Sequence, residues 1–224
     1  MKGDDKVITY IFSGFDIKEH FGNVVSKYFK EDMKDYSSIV FIPGEFNDKS
    51  KVERYVGTDV EWFKEIGINL NKVIILNDKM DSLYMNQSLI NSDIIFIMGG
   101  NTQKQNEFLE KNKLKETIKN FKGIVIGVSA GAINLGETSI CSKDPDDGVE
   151  KTVVYNGIGR INFTIEPHFD INNVNLLNEE LYPNSKQNKI YGLPNDTGVK
   201  IIDNSFEIIK GKFYEIYNDS IEEL

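Results

Sequence analysis

Residues 124–137 read IVIGVSAGAINLGE. Ile124, Val125 and Ile126 form a short β-favouring apolar run. It ends abruptly in Gly127-Val128-Ser129-Ala130-Gly131-Ala132, where small residues surround one hydroxyl. Such a run fits a strand buried on both faces, and the small residues fit a tight turn straight into a helix. A strand that passes at once into a helix is the repeating unit of a parallel α/β sheet.

The same rhythm extends in both directions from this point. Val7–Phe12 ends at Ser13-Gly14, Ser38–Ile42 at Pro43-Gly44, Lys72–Leu76 at Asn77-Asp78, and Asp93–Met98 at Gly99-Gly100. Between these runs the spacing turns helical. Lys51 to Ile66 carries Val52, Tyr55, Val56, Val60, Phe63 and Ile66, and Gly67 follows as a stop. Thr102 to Phe121 places Phe108, Leu109, Leu114 and Ile118 among charges. Strands alternating with helices imply right-handed βαβ units in a doubly wound, mostly parallel α/β sheet with helices on both faces. Beyond Asp144 strands are expected at 151–155 and 161–165, then a mostly helical stretch to about Lys186. Strands follow at 189–193, 198–202, 205–209 and 212–217, the last three as an antiparallel meander. No linker or repeat interrupts the pattern, so residues 1–224 are expected to form a single domain.

Composition narrows the function. The chain of 224 residues is 40% hydrophobic and 27% charged, an ordinary globular balance. Its net charge of −9 repels phosphates, which disfavours nucleic acid and anionic membranes as partners. Cys141 is the single cysteine, and no Cys/His cluster has metal-ligand spacing. No metal or cofactor is expected. The N-terminal MKGDDKVITYIF lacks the basic-then-apolar order of a signal peptide, and no apolar run reaches the roughly 20 residues of a membrane span. The expectation is a cytoplasmic protein, monomeric or homodimeric.

Chemistry concentrates at strand ends. Gly127-Val128-Ser129-Ala130-Gly131 has the Gly-x-Ser-x-Gly pattern of a nucleophile elbow. A close-packed turn would need the same small residues, so the pattern alone leaves both readings open. A serine nucleophile requires a base. Of the two histidines, His20 lies near a helix start, and His168 directly follows a strand in Glu166-Pro167-His168-Phe169. His168 is therefore the better candidate base. The N–H of Ala130, at the helix start, could face an oxyanion. Met98-Gly99-Gly100-Asn101-Thr102 ends another buried strand and allows close backbone approach to a carbonyl, with Asn101 or Thr102 as an alternative helix cap.

Together, Met98-Gly99-Gly100-Asn101-Thr102, Gly127-Val128-Ser129-Ala130-Gly131-Ala132 and Pro167-His168-Phe169 resemble the S51 serine peptidases, the family of dipeptidase E and cyanophycinase. The resemblance covers most of the chain. It implies a flavodoxin-like, class I glutamine amidotransferase-like fold, with antiparallel strands towards the C-terminus. It implies hydrolysis of small peptides through an acyl-enzyme on Ser129, with His168 as general base. Gly100 and Ala130 would form the oxyanion hole, and Gly99 and Asn101 would contact substrate. The family often places a glutamate in Gly-x-x-Glu-x-Thr; here Gly192-Leu193-Pro194-Asn195-Asp196-Thr197 has Asn195 at that position. Asn195 is thus the implied third member, with Asp196 and Asp144 as alternatives. An aspartyl preference would call for an arginine, and only Arg54 and Arg160 exist, with Lys186 and Lys189 as substitutes. These departures keep two other readings open: a binding protein with impaired catalysis, and an esterase or amidase using the same pair.

Overall fold

The computed structural model describes residues 7–143, 149–203 and 205–224. Seven strands form the main sheet: β1 (Ile8–Phe12), β2 (Ser38–Gly44), β3 (Lys72–Ile75), β4 (Ile94–Gly100), β5 (Ile124–Val128), β10 (Gly198–Ile202) and β11 (Ser205–Lys210). Their order is β11-β10-β1-β5-β4-β2-β3. The pairs β1·β5, β5·β4, β4·β2 and β2·β3 are parallel, whereas β10 runs antiparallel to both β1 and β11. All five amino-terminal runs are therefore strands of one parallel sheet.

The apolar runs sort their side chains by parity, as a period of two requires. Along β4, Ile95 and Ile97 enter one core cluster, while Ile94, Phe96 and Met98 enter the other. Helices α1 (Gly22–Met33) and α2 (Lys49–Glu65) cover the second cluster through Val25, Phe29, Val52, Val56 and Phe63. Helices α3 (Ser82–Ile90), α4 (Thr102–Lys111), α5 (Lys115–Lys119) and α6 (Ala130–Leu135) cover the first. The expected helix over 102–121 is thus two helices. Lys113 takes a φ of +54°, and the Leu114 N–H turns back to Leu109 O, which ends the first helix.

The C-terminal meander is not formed. β10 and β11 make a hairpin on the main sheet, but the next strand, β12 (Tyr214–Tyr217), leaves it. A second sheet of order β13-β12-β9-β8 takes β12, together with β8 (Thr164–Pro167), β9 (Ile190–Leu193) and β13 (Ser220–Glu223). Phe213 is the pivot: it is fully buried in the first core cluster and stacks on Tyr191 at 4.9 Å. Burying that ring offsets the loss of a simple hairpin. A small ribbon of β6 (Thr138–Cys141) and β7 (Val153–Asn156) completes the strands. The helical stretch before Lys186 is a π-helical turn, Leu176–Leu181, running into α7 (Tyr182–Ser185). Among the described residues no helix is long and apolar enough to cross a membrane.

Arg160 ties the far end of the sheet together. It is buried, and its guanidinium donates to Thr9 Oγ1 and to the carbonyls of Ile118, Lys119 and Phe121. Burial pulls its pKa down to about 10, which leaves it charged at neutral pH. Arg160→Leu strands those carbonyls. The expected cost is roughly 2–4 kcal/mol, read as a lower urea midpoint at unchanged slope.

Candidate active site

The site lies where the carboxyl ends of β1, β4, β5 and β8 meet, the edge at which open α/β sheets bind ligands. Strand β5 stops at Val128, and Ser129 turns the chain with φ +50° and ψ −112°. This is a strained conformation for a residue bearing a Cβ. It is fixed on one side by the Ser129 N–H, which donates to Phe12 O at 2.9 Å. On the other side α6 is pressed against β4. A Cβ at Gly131 would stand 2.1 Å from Ile97 O, so only glycine fits there.

The second sheet supplies the imidazole. β8 and β9 are parallel, with Pro167 opposite Leu193, so the segments leaving them run side by side. His168 follows β8 with φ +55° and points its ring over the elbow. Its Nε2 lies 3.0 Å from Ser129 Oγ, and its Nδ1 lies 2.7 Å from Asn195 Oδ1. Asn195, on the turn after β9, is the third-member candidate that reaches the ring. Asp196, also at positive φ, has a carboxylate oxygen 3.6 Å from Lys210 Nζ instead. Asp144 lies outside the described residues.

Ser13 was read from sequence only as a strand end. It is fully buried, and its Oγ accepts the His168 N–H at 2.7 Å and sits 3.4 Å from Nδ1. The signal available was its position: a small polar residue ending a buried strand. His20 stands apart. Its Nδ1 contacts Glu65 at 2.6 Å and its ring stacks on Trp62.

The glycine turn after β4 borders the elbow. A Cβ at Gly99 would come within 3.5 Å of Ser129 Cβ. Gly100 takes φ +128° and packs on the backbone of Gly44, the neighbouring strand's end. Asn101 Oδ1 accepts the Lys104 N–H at 2.9 Å, so that oxygen caps α4. Buried Gln105 donates to Met98 O, and Asn134 of α6 donates to Thr102 O and Gln105 Oε1. This amide pair joins the turn to the helix that carries Ala130.

A cavity of about 770 Å³ opens over Ser129, His168, Gly100 and Asn101. Its cationic lining is Lys51, Lys104 and Lys143, facing Glu45 and Glu166. The four cations considered from sequence lie elsewhere. Arg160 is a structural tie, Lys186 pairs with Asp219 and Lys189 with Glu215, and Arg54 borders a neighbouring cavity. Among the described residues no cluster of His, Cys, Asp and Glu could hold a metal ion.

The architecture is that of peptidase E-type α/β proteins. It superposes on a crystal structure of a peptidase from an acI-B1 actinobacterium with TM-score 0.72 at 14% identity, over 98% of this chain and 94% of that one. A candidate peptidase E protein from Listeria monocytogenes EGD-e gives 0.66 at 19% identity, over 92% and 99%. No curated protein matches the chain in sequence. The chain belongs to peptidase family S51, whose profile matches residues 11–209. That membership makes it a hydrolase of the peptidase class.

Ser13→Ala keeps the fold's packing but removes the acceptor for the His168 N–H. Peptide hydrolysis is expected to fall about tenfold, one hydrogen bond's worth of positioning, with KM nearly unchanged. A variant with unaltered kcat would exclude a positioning role for Ser13.

Proposed function

We propose that the protein is a serine-type peptidase of the dipeptidase E kind, hydrolysing small peptides through an acyl-enzyme on Ser129. The observation that carries this reading is the 3.0 Å contact between Ser129 Oγ and His168 Nε2 on a strained turn at the sheet's carboxyl edge. Asn195 Oδ1 can only accept, so it selects the tautomer with hydrogen on Nδ1. Nε2 is then free to take the serine proton.

In this scheme Ser129 Oγ attacks the peptide carbonyl carbon as its proton passes to His168 Nε2. The resulting oxyanion faces the N–H of Ala130, which as the first residue of α6 has no intrahelical acceptor, and the backbone around Gly100. The imidazolium returns the proton to the departing amine, the C–N bond breaks, and an ester to Ser129 remains. Water, deprotonated by the same imidazole, then releases the acid and restores the serine. Asn195 orients the ring, but a neutral amide stabilises the imidazolium less than a carboxylate would.

A fluorophosphonate probe is expected to label Ser129, with mass spectrometry locating the adduct. Ser129→Ala and His168→Ala should each lower kcat by at least about a thousandfold while circular dichroism stays native. Intact turnover in the serine variant would sink the mechanism.

Asn195 supplies a second, finer test. Asn195→Ala should lower kcat about 10–100-fold, and Asn195→Asp should retain or exceed the parent rate. Equal losses in both would mean that Asn195 does not orient the base. Running esters beside peptides separates peptidase from esterase use of the same pair. Saturable peptide binding without turnover would favour an impaired binding protein, the reading that Asn195's neutrality keeps in play.

A further inference from the structure

Helix α2 carries an anomaly. Its buried face runs Val52, Val56 and Phe63, the spacing of an apolar stripe, and the partly buried Asp59 fills the stripe position between Val56 and Phe63. The carboxyl group faces a cavity of about 550 Å³ between α2 and the β4 turn, lined by Phe15, Tyr55, Trp62, Met98 and Val128. Among the described residues no hydrogen bond or ion pair reaches this carboxylate. Burial pushes its pKa up to about 7.

The cavity is continuous in lining with the one over Ser129. Both are bordered by Glu45, Lys51 and Gly100, and the ridge between them is the Gly99–Gly100 backbone. Its other charged groups leave Asp59 unpaired. Glu45 is held by the N–H groups of Phe46 and Asn47, Arg54 lies over the Tyr55 ring, and among the described residues Lys51 makes no ion pair with Asp59. A carboxyl in an aromatic wall, lacking a partner of its own, is matched by a ligand cation that brings both hydrogen-bond donors and an apolar stem.

We propose that this cavity is a second substrate subsite, which takes a side chain ending in a protonated primary amine on an apolar or aromatic stem, with Asp59 accepting the amine's hydrogen bonds. As a substrate subsite it rests on the peptidase reading of Ser129; as an amine site it does not. The subsite discriminates by charge, with Asp59 set against the aromatic part of the lining. Binding requires the ionised carboxylate and the protonated amine together, so affinity rises with pH through about 7 and falls again only above the amine's own pKa.

Trp62 is the single tryptophan of the chain and lines the cavity, so its fluorescence reports occupancy. The probes are 2-phenylethylamine and its neutral counterpart 2-phenylethanol. The amine should bind at least tenfold more tightly than the alcohol at pH 8, and that preference should shrink at pH 6. Asp59→Asn, nearly isosteric, should abolish the preference while circular dichroism and thermal melting confirm a folded protein. An equal preference in Asp59→Asn, or none in the parent, overturns the proposal.

Kinetics then tests the substrate side. Peptides with lysine beside the scissile bond should lose kcat/KM in Asp59→Asn at least tenfold, and norleucine peptides should not. Acetylating the substrate's α-amine should leave the lysine preference in place; its loss on acetylation would assign the site to the α-amine and overturn the side-chain proposal. Asp59-dependent amine binding in a protein that neither turns over peptides nor labels at Ser129 would retain the amine site and reject only the catalytic reading.

Discussion

The carboxyl end of β1 is the fixed point of the molecule. Phe12 O accepts the Ser129 N–H, and the next residue's Oγ accepts the His168 N–H. The Ser13 N–H in turn donates to Thr197 O, at the end of the turn that carries Asn195. Two adjacent residues thus hold three segments from two different sheets. Ser129 and His168 both sit at positive φ, at +50° and +55°. Such conformations cost on the order of 1–3 kcal/mol each and persist only where surrounding structure over-determines them. β1 has that rigidity because it lies inside the sheet, paired on both sides by β5 and β10.

Much of this was legible in the sequence, for a physical reason. A parallel sheet covered on both faces demands continuous apolar runs, and such runs survive any choice of neighbours. The five amino-terminal strands therefore announced themselves. The C-terminal half did not, because its pairing is decided by contacts remote in sequence. Lys210-Gly211-Lys212 has the chemistry of a hairpin turn, and Gly211 does adopt φ +79°. Yet Phe213 finds a better partner in Tyr191 than in a continued hairpin, and β12 goes to β9. β13 escaped notice because Ser220–Glu223 is short, mostly exposed and polar, which suits an edge strand and resembles a tail.

The candidate site divides along the same line. Ser129, His168 and the Gly99–Gly100 turn follow strands whose ends are marked by small residues, so local pattern sufficed. Asn195 was reached only by position within a family-like segment. It now has a geometric basis, a 2.7 Å contact that Asp196, directed to Lys210, does not make. Ser13 and Asp59 were missed. Ser13 looks like any strand terminus until the second sheet is folded over it. Asp59 did leave a trace, an acid at a stripe position between Val56 and Phe63. One polar residue within a helical period is ordinarily absorbed as noise, and only the cavity gives it meaning.

The two cavities meet at a wall made of backbone. A Cβ placed at Gly100 would stand 2.9–3.0 Å from the backbone atoms of Gly44, so neither position admits a side chain without moving its neighbour. The ridge is kept thin by that packing and kept rigid by Gln105 and Asn134 beneath it. A carbonyl seated on the ridge would have Ser129 on one side and the aromatic cavity on the other. Chemistry and selection would then be separated by one peptide unit. The first cavity offers Lys104, Lys143 and the buried Glu166, and the second offers an aromatic wall with Asp59 and Arg54. A ligand spanning the ridge would meet both linings, with Glu45 and Lys51 common to the two.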